Sequence, residues 1–306
     1  MTSPAQIVAV DLGGTNIRVG LINADGTLAD NAREPVRSGS EPEQIVNLIR
    51  KMARQGHPER AIVGSPGRID RRAGKVLRAR NLPRTDLDQL SDSYLSERCG
   101  LPVELAGDAE LAAVGESYFG AGSITGITGY LTFSTGVGAA ALVEGVVLSG
   151  PIGGFQIGFV RSLGFDRPIA DVLASGQRIQ ALAKALGRPI DYRGTCELAD
   201  GTGEEAGLAR EALTDIFDAA VSIAVILCHA CTPDVLVIGG GLARATEGAL
   251  AREIARRLAD WEFSNLSWDV AVREAALGDD AALIGGAAWS RARPGTRHAD
   301  SRELPA

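Results

Sequence analysis

The sequence predicts an α/β fold built from two related halves. A repeated device carries this reading: an apolar strand, a Gly/Thr turn and a second apolar strand occur twice, about 120 residues apart. The first copy spans Ile7–Leu21 around Gly13-Gly14-Thr15-Asn16, the second Gly129–Val143 around Ser134-Thr135-Gly136-Val137-Gly138. Composition agrees, with 45% apolar residues, 38 glycines and few aromatics, as in an ordinary α/β protein. Glycine lets the backbone take positive φ and lets a ligand come close. Successive amides in such turns form an anion cradle, to which a Thr hydroxyl adds a donor. Two cradles at matched places suggest one polyphosphate gripped from both sides, so nucleotide binding is the first hypothesis.

The remaining elements follow in order. A third strand is expected near Leu28–Val36 and a helix over Ile45–Ala53, from its helical periodicity. Arg60–Gly64 reads as a short strand running into the loop Ser65-Pro66-Gly67. Leu90–Cys99 reads as a helix and Val103–Leu105 as a brief strand. Ala109–Tyr118 is a strong helix with Asp108 at its N-terminal boundary, a capping position. After the second hairpin comes a Gly-rich stretch, Gly150–Gly158, and then helices over Ile169–Leu186 and Glu211–Ala230. Asp234–Ile238 is a buried strand leading into Gly239-Gly240-Gly241. A helix (Glu247–Leu258), a strand (Val270–Glu274) and a last helix (Ala281–Trp289) complete the pattern. The domains are expected at 1–107 and 108–280, with the helix at 281–290 packing back on the first and 291–306 a flexible tail.

The net charge of −7 argues against a nucleic-acid partner, which calls for a basic face. No uninterrupted apolar run reaches the length of a membrane span, and the N-terminus lacks the features of a signal peptide. A cytoplasmic protein with no membrane partner is expected. Four cysteines (Cys99, Cys196, Cys228, Cys231) make no disulfide framework in a chain of 306 residues. Cys228-His229-Ala230-Cys231 has no second ligand pair at zinc spacing and reads as core cysteines at a helix end. The three histidines, His57, His229 and His298, fall in a loop, an apolar helix and the tail, which argues against a His-based mechanism.

In this order the motifs resemble the ROK (repressor, ORF, kinase) family of bacterial sugar kinases, glucokinase included. Asp11-Leu12-Gly13-Gly14-Thr15 resembles its first phosphate motif and Ser134-Thr135-Gly136-Val137-Gly138 its second. Pro233–Gly241 resembles the adenosine motif, and Leu277-Gly278-Asp279-Asp280-Ala281 the C-terminal signature. The resemblance covers nearly the whole chain and implies the actin-like, ribonuclease-H-like duplicated fold, with a cleft between two domains. Some members are repressors with an extra N-terminal DNA-binding segment. The first phosphate strand here begins at residue 7, so none is expected.

The resemblance implies an ATP- and Mg²⁺-dependent kinase acting on a hydroxyl, a primary one of the 6-OH type, of a hexose-like sugar or cyclitol. Asp108, in Gly107-Asp108-Ala109, takes the catalytic base position. A carboxylate suits that task because the proton leaves late in phosphoryl transfer. Asp11, Gly13, Gly14, Thr15, Asn16, Thr135, Gly136 and Gly138 would hold phosphates, with Mg²⁺ near Asp11, since Mg²⁺ favours few carboxylates and many waters. Gly239, Gly240 and Gly241 would receive the adenosine at a helix N-terminus. Arg18 could meet a phosphate from the first hairpin, but reads first as a solvated strand position.

The acceptor pocket is expected from Ser65, Pro66, Gly67, Asn81, Gly107, Asp108, Gln156, Phe159 and Asp171. Here the chain departs from its relatives. The usual Asn before the base is Gly107. The usual Gly-Glu-Ile-Gly-His reads Phe155-Gln156-Ile157-Gly158-Phe159, so a charged acceptor becomes an amide and a His becomes a phenyl ring. Asp171 stands one methylene short of the family's second sugar-binding Glu. A ligand hydroxyl buried against Phe159 would cost roughly 1–3 kcal/mol, which favours an acceptor that is apolar or differently seated there. Glucose, an N-acyl amino sugar and a C7-cyclitol all remain open as acceptors. With the family's Cys-rich loop absent and its His replaced, no structural zinc is expected. A homodimer is compatible with the family. A catalytically weak sugar-binding or regulatory protein is the second reading, and an ATPase acting on protein partners a third.

Overall fold

The computed structural model describes residues 6–260 and 269–294. Its first half is a five-stranded sheet formed by β1 (Gln6–Leu12), β2 (Asn16–Asn23), β3 (Leu28–Pro35), β4 (Pro58–Ser65) and β7 (Val103–Gly107). The spatial order is β3-β2-β1-β4-β7. β1, β2 and β3 run antiparallel as a meander, while β4 lies parallel between β1 and β7. Ile7–Val10 can sit at the sheet centre because almost nothing in it is polar; Val8, Ala9 and Val10 are fully buried. β3 alternates half-buried and exposed residues, as an edge strand should.

The second half repeats this plan. β8 (Ile127–Phe133), β9 (Val137–Val143), β10 (Val146–Val147), β11 (Val235–Gly239) and β12 (Ala271–Glu274) lie in the order β10-β9-β8-β11-β12. β8, β9 and β10 are antiparallel, and β11 is parallel to both β8 and β12. Strand by strand the two sheets share order and direction, so the duplication inferred from the hairpins extends to whole halves.

Helices α1 (Glu41–Ala53) and α2 (Asp92–Cys99) belong to the first half, and α3 (Asp108–Phe119) follows β7. Pro42 in the first turn of α1, with Glu41 and Glu43 there and Arg50 and Lys51 in its last turn, matches the polarity of a helix. The second half carries α4 (Ala170–Leu173), α5 (Gly176–Leu186), α6 (Tyr192–Ala199), α7 (Glu204–Cys231), α8 (Gly241–Ala245) and α9 (Ala249–Ala259), and α10 (Ala281–Ala292) follows β12. α7 is long and apolar enough to cross a membrane by length and composition. Its Ile216, Ala220, Ile223, Ala224 and Leu227 are buried in the core of the second half.

Helices α3 and α10 cross at the join between the halves. A methyl at Gly115 would lie 2.2 Å from the carbonyl oxygen of Ala281, and one at Gly285 would lie 1.9 Å from that of Leu111. Two glycines therefore let the backbones touch. α10 then packs on β1 and β2, where Leu283 meets Ala9 and Ile22. α3 packs on β8 and β9 of the other sheet. Between them lies a third core containing Tyr130 and the fully buried Trp289.

Several elements differ from expectation. The hairpin of β5 (Arg68–Asp70) and β6 (Lys75–Arg78) carries too few apolar residues to show a strand period. The helix expected over Ile169–Leu186 breaks at Ser175, whose hydroxyl donates to the Asp171 carbonyl and accepts from the Gln177 N–H. α6 was not anticipated, and α7 starts at Glu204 rather than Glu211. The helix placed at Glu247–Leu258 begins at Ala249, because Glu247 and Gly248 both take positive φ. α10 runs on through the buried Ala292, so the tail does not start at 291. Residues 295–306 of the expected tail, including His298, lie outside the described residues.

Candidate active site

Three parallel strand ends meet at the site. In register, Asp11 of β1 pairs with Gly64 of β4, and Ser65 of β4 pairs with Gly107 of β7, the residue before Asp108. Open parallel sheets bind ligands at this edge because the backbone groups there are not yet spent. Gly64 has no side chain to separate its neighbours; a methyl on it would lie 3.5 Å from the Asp108 Cα. The first turn closes with the Gly13 N–H donating to the Asn16 carbonyl at 3.0 Å, leaving Gly14 and Thr15 exposed at its tip. Asn81 lies against this turn, its Cβ 3.6 Å from where a Gly14 methyl would stand. Gly67, at φ +98°, brings the Ser65-Pro66-Gly67 loop onto β6; a side chain there would run into the Arg78 carbonyl.

The second turn closes likewise, with the Ser134 N–H donating to the Gly136 carbonyl at 2.9 Å and Ser134 and Thr135 exposed. It adjoins the base candidate, since a Gly138 methyl would lie 3.1 Å from the Ala109 Cβ. Asp171 supports this turn directly: its Oδ1 accepts the Val137 N–H at 2.8 Å. Gln177 donates to Asp171 Oδ2 and to the Thr135 carbonyl, both at 3.1 Å. Asp171 also faces Arg80 across the halves at 3.7 Å. Asp171, expected to meet the acceptor, thus also braces the second glycine turn. Gln156 is half-buried, and Phe159 is 53% exposed rather than a closed pocket wall.

Gly240, at φ +97°, rests on the end of β8, where a side chain would stand 2.3 Å from the Phe133 carbonyl. Gly241 opens α8 with nothing near it. A cavity of ≈ 60 Å³ lies alongside, lined by Gly239, Gly240, Ala243, Arg244 and Gly278 among others.

A chain of charges links these parts. Arg18 Nη1 donates to Asp11 at 3.4 Å and to the Asp279 carbonyl at 3.0 Å, and its Nη2 pairs with the Asp279 carboxylate at 3.1 Å. Arg244 of α8 holds the other Asp279 oxygen at 2.8 Å. Burial, then the nearby Asp108 charge, push the Asp11 carboxyl up to about 6, against the pull of Arg18. Burial also raises Asp108, and the Glu110 charge adds to it, while the Ala109 N–H donated to its Oδ1 at 2.7 Å acts the other way. A buried carboxylate, Asp11, raised in part by a second one and standing beside a glycine-lined turn, is a donor that fits a hydrated divalent cation such as Mg²⁺.

The family model described as "ROK family" matches residues 7–293. The chain belongs to the ROK family. The glucokinase of Thermotoga maritima is 28% identical to this ROK protein over 322 aligned residues, covering 95% of this chain and 98% of that one. The bifunctional enzyme NanE/NanK of Brucella suis biovar 1 is 30% identical over 288 residues, covering 92% of this chain and 52% of that one. Among solved structures, the ROK hexokinase of Thermus thermophilus superposes with a TM-score of 0.71 at 28% identity, covering 92% of this chain and 96% of that one. These neighbours carry the actin-like, ribonuclease-H-like fold that the motifs implied.

Among the described residues of this ROK protein, no three His, Cys, Asp or Glu side chains converge as a metal-holding group. Cys228 is buried in the core, which pushes its thiol up to about 12, and the Cys231 Sγ reaches the Leu227 carbonyl. Sequence reasoning missed Arg80, Arg71 and Glu110, and read Arg18 as solvated. Arg18 had a usable signal: it sits opposite Asp11 in the hairpin register. Arg71 had none, because the turn after β5 meets α3 only in three dimensions.

Proposed function

We propose that this ROK chain is an ATP-dependent kinase that phosphorylates a hydroxyl, of the primary 6-OH type, on a hexose-like sugar or cyclitol. The observation that carries the reading is the convergence of Asp108 with both phosphate turns. Asp108 follows the β7 end beside Asp11 and the first turn, while Ala109 touches Gly138 of the second. Family relatives named glucokinase and hexokinase support the reaction class.

In this reading the exposed amides and hydroxyls of Gly13–Asn16 and Thr135–Gly138 grip the phosphates, and the adenosine lies against Gly239–Gly241. Asp11 would hold Mg²⁺, which when bound supplies charge neutralisation to the phosphates. Asp108 accepts the acceptor's hydroxyl proton as the new O–P bond forms and the bond to the ADP oxygen breaks. Its raised pKa makes it a better base than a surface aspartate. Ser65-Pro66-Gly67, Asn81, Gln156 and Phe159 would border the acceptor. Closure of the halves would exclude water and so suppress ATP hydrolysis.

A coupled ADP-release assay tests this, with glucose, N-acetylglucosamine, N-acetylmannosamine, allose and valiolone-type cyclitols as acceptors. Turnover with at least one is the expected result. Silence across the panel with sugar binding intact would overturn it in favour of a sensor.

A further inference from the structure

The β5–β6 hairpin and the loop after it form a strongly basic stretch in an acidic chain. Seven arginines and lysines fall between Arg68 and Arg84, against Asp70 as the one acid there, while the whole chain carries −7. The Asp70 Oδ1 is taken by the backbone N–H groups of Arg72 and Ala73. Arg71, Lys75 and Arg80 face Glu110, Asp88 and Asp171 in turn. Arg68, Arg72, Arg78 and Arg84 are exposed and have no carboxylate partner among the described residues. Arg68 and Arg78 are moreover partners in the hairpin register, so two like charges stand opposite one another. Such a pair repels across the strands. An anion between the two guanidiniums removes the repulsion, because their planar forks match carboxylate and phosphate oxygens.

This stretch adjoins each segment that borders the acceptor in the kinase reading. Arg68 directly follows Ser65-Pro66-Gly67, and a Gly67 methyl would lie 2.8 Å from the Ala79 Cα, beside Arg78. A Gly153 methyl would lie 3.6 Å from the Arg68 Cα, which places the segment leading to Gln156 there too. Arg80 precedes Asn81 and reaches Asp171 across the halves at 3.7 Å. Asp171 is itself engaged by Arg80, the Val137 N–H and the Gln177 amide, so an anion arriving at this rim meets arginines rather than a free carboxylate. At the reacting end stand Asp108 and Asp11, which repel an anion. The two ends of the pocket therefore differ in sign.

We propose that Arg68 and Arg78, with Arg80 beside them, form an anion subsite at the rim of the acceptor pocket. The preferred acceptor is then a hexose-like polyol that carries a phosphate or carboxylate on the end away from the reacting hydroxyl. The proposal rests on the kinase reading for the pocket's location and leaves the transfer unchanged: the hydroxyl oxygen takes the γ-phosphoryl group, Asp108 takes the proton and ADP leaves. The local positive field also draws such an acceptor to a protein of net negative charge.

The test takes the purified full chain and compares neutral acceptors with acidic counterparts: glucose with glucose 1-phosphate and gluconate, and N-acetylglucosamine with its 1-phosphate. At least one acid should show a KM about tenfold or more below that of its neutral parent, since hydrogen bonds to charged groups are the strong ones. The advantage should shrink as salt rises. R68Q/R78Q should abolish it while leaving the KM values for ATP and the neutral acceptor unchanged, and R68K/R78K should recover part. Both positions are exposed, and R78Q alone answers the question if the double variant folds poorly. A preference confined to the phosphates or to gluconate supports the subsite and identifies its anion. No acid preferred over its parent, a preference that survives R68Q/R78Q, or an equal rise in the ATP KM overturns the proposal. Calorimetry of the same acids without ATP separates it from the kinase reading. Binding that R68Q/R78Q loses, with no ADP released by wild type, refutes the kinase reading alone. ADP release that shows no preference for an acid refutes the subsite alone.

Discussion

Replacing Asp11 by Asn is expected to stabilise the ligand-free protein while removing its activity. The Asp11 carboxyl stands at about 6 in the folded chain against an ordinary 3.8, mainly through burial and the Asp108 charge. Between those values the folded chain keeps a proton that the unfolded chain has released. Stability therefore falls as pH rises, and the penalty is complete above about pH 6. At ~1.36 kcal/mol per unit it amounts to about 1 kcal/mol at pH 4.5 and about 3 kcal/mol at pH 7.5. Asn keeps the shape without the charge, and Arg18 retains Asp279 as its partner. With an unfolding entropy of ~2.1 cal/mol/K per residue, the gain at pH 7.5 corresponds to about 5 °C. Urea unfolding of both proteins at the two pH values, without Mg²⁺ or nucleotide, reads the difference, and ADP release reads the function. If the Asn variant is no more stable at pH 7.5, or gains equally at both pH values, the electrostatic account of the site is wrong.

Asp108→Asn should lower kcat by about 10²–10⁴, the usual worth of a general base, while nucleotide affinity by fluorescence titration stays within a few-fold. Its side-chain oxygen can still accept the Ala109 N–H, so the fold should survive, and wild-type turnover would remove Asp108 from the base role. Gly285→Ala puts a methyl 1.9 Å from the Leu111 carbonyl and forces α3 and α10 apart. A loss of about 3 kcal/mol or more in urea unfolding is expected, and less than about 1 kcal/mol would mean that the crossing is loosely packed.

The hairpins, the helix that starts at Asp108 and the strand that leads to Gly239 were legible in the chain because each is encoded locally. Apolar runs of strand length, glycines at turns and a helical period need no knowledge of distant partners. From these came the duplicated α/β fold and the list of residues proposed to surround a nucleotide. The bracing contact of Asp171 was not legible: its carboxylate accepts the Val137 N–H of a turn 34 residues earlier. The hairpin register that sets Arg18 opposite Asp11 was legible, but its other partner, Asp279, is 261 residues away and was not.

The chain by itself determined which backbone segments can cradle phosphate and which carboxylates stand beside them, because those properties belong to short stretches of residues. Only the tertiary structure decided which charges are buried together. The Asp11–Arg18–Asp279–Arg244 chain and the Arg71–Glu110 pair exist because two sheets and two glycine-crossed helices bring remote side chains within a few ångströms. Burial energy depends on that proximity and on the water it excludes, and neither is written in any one segment.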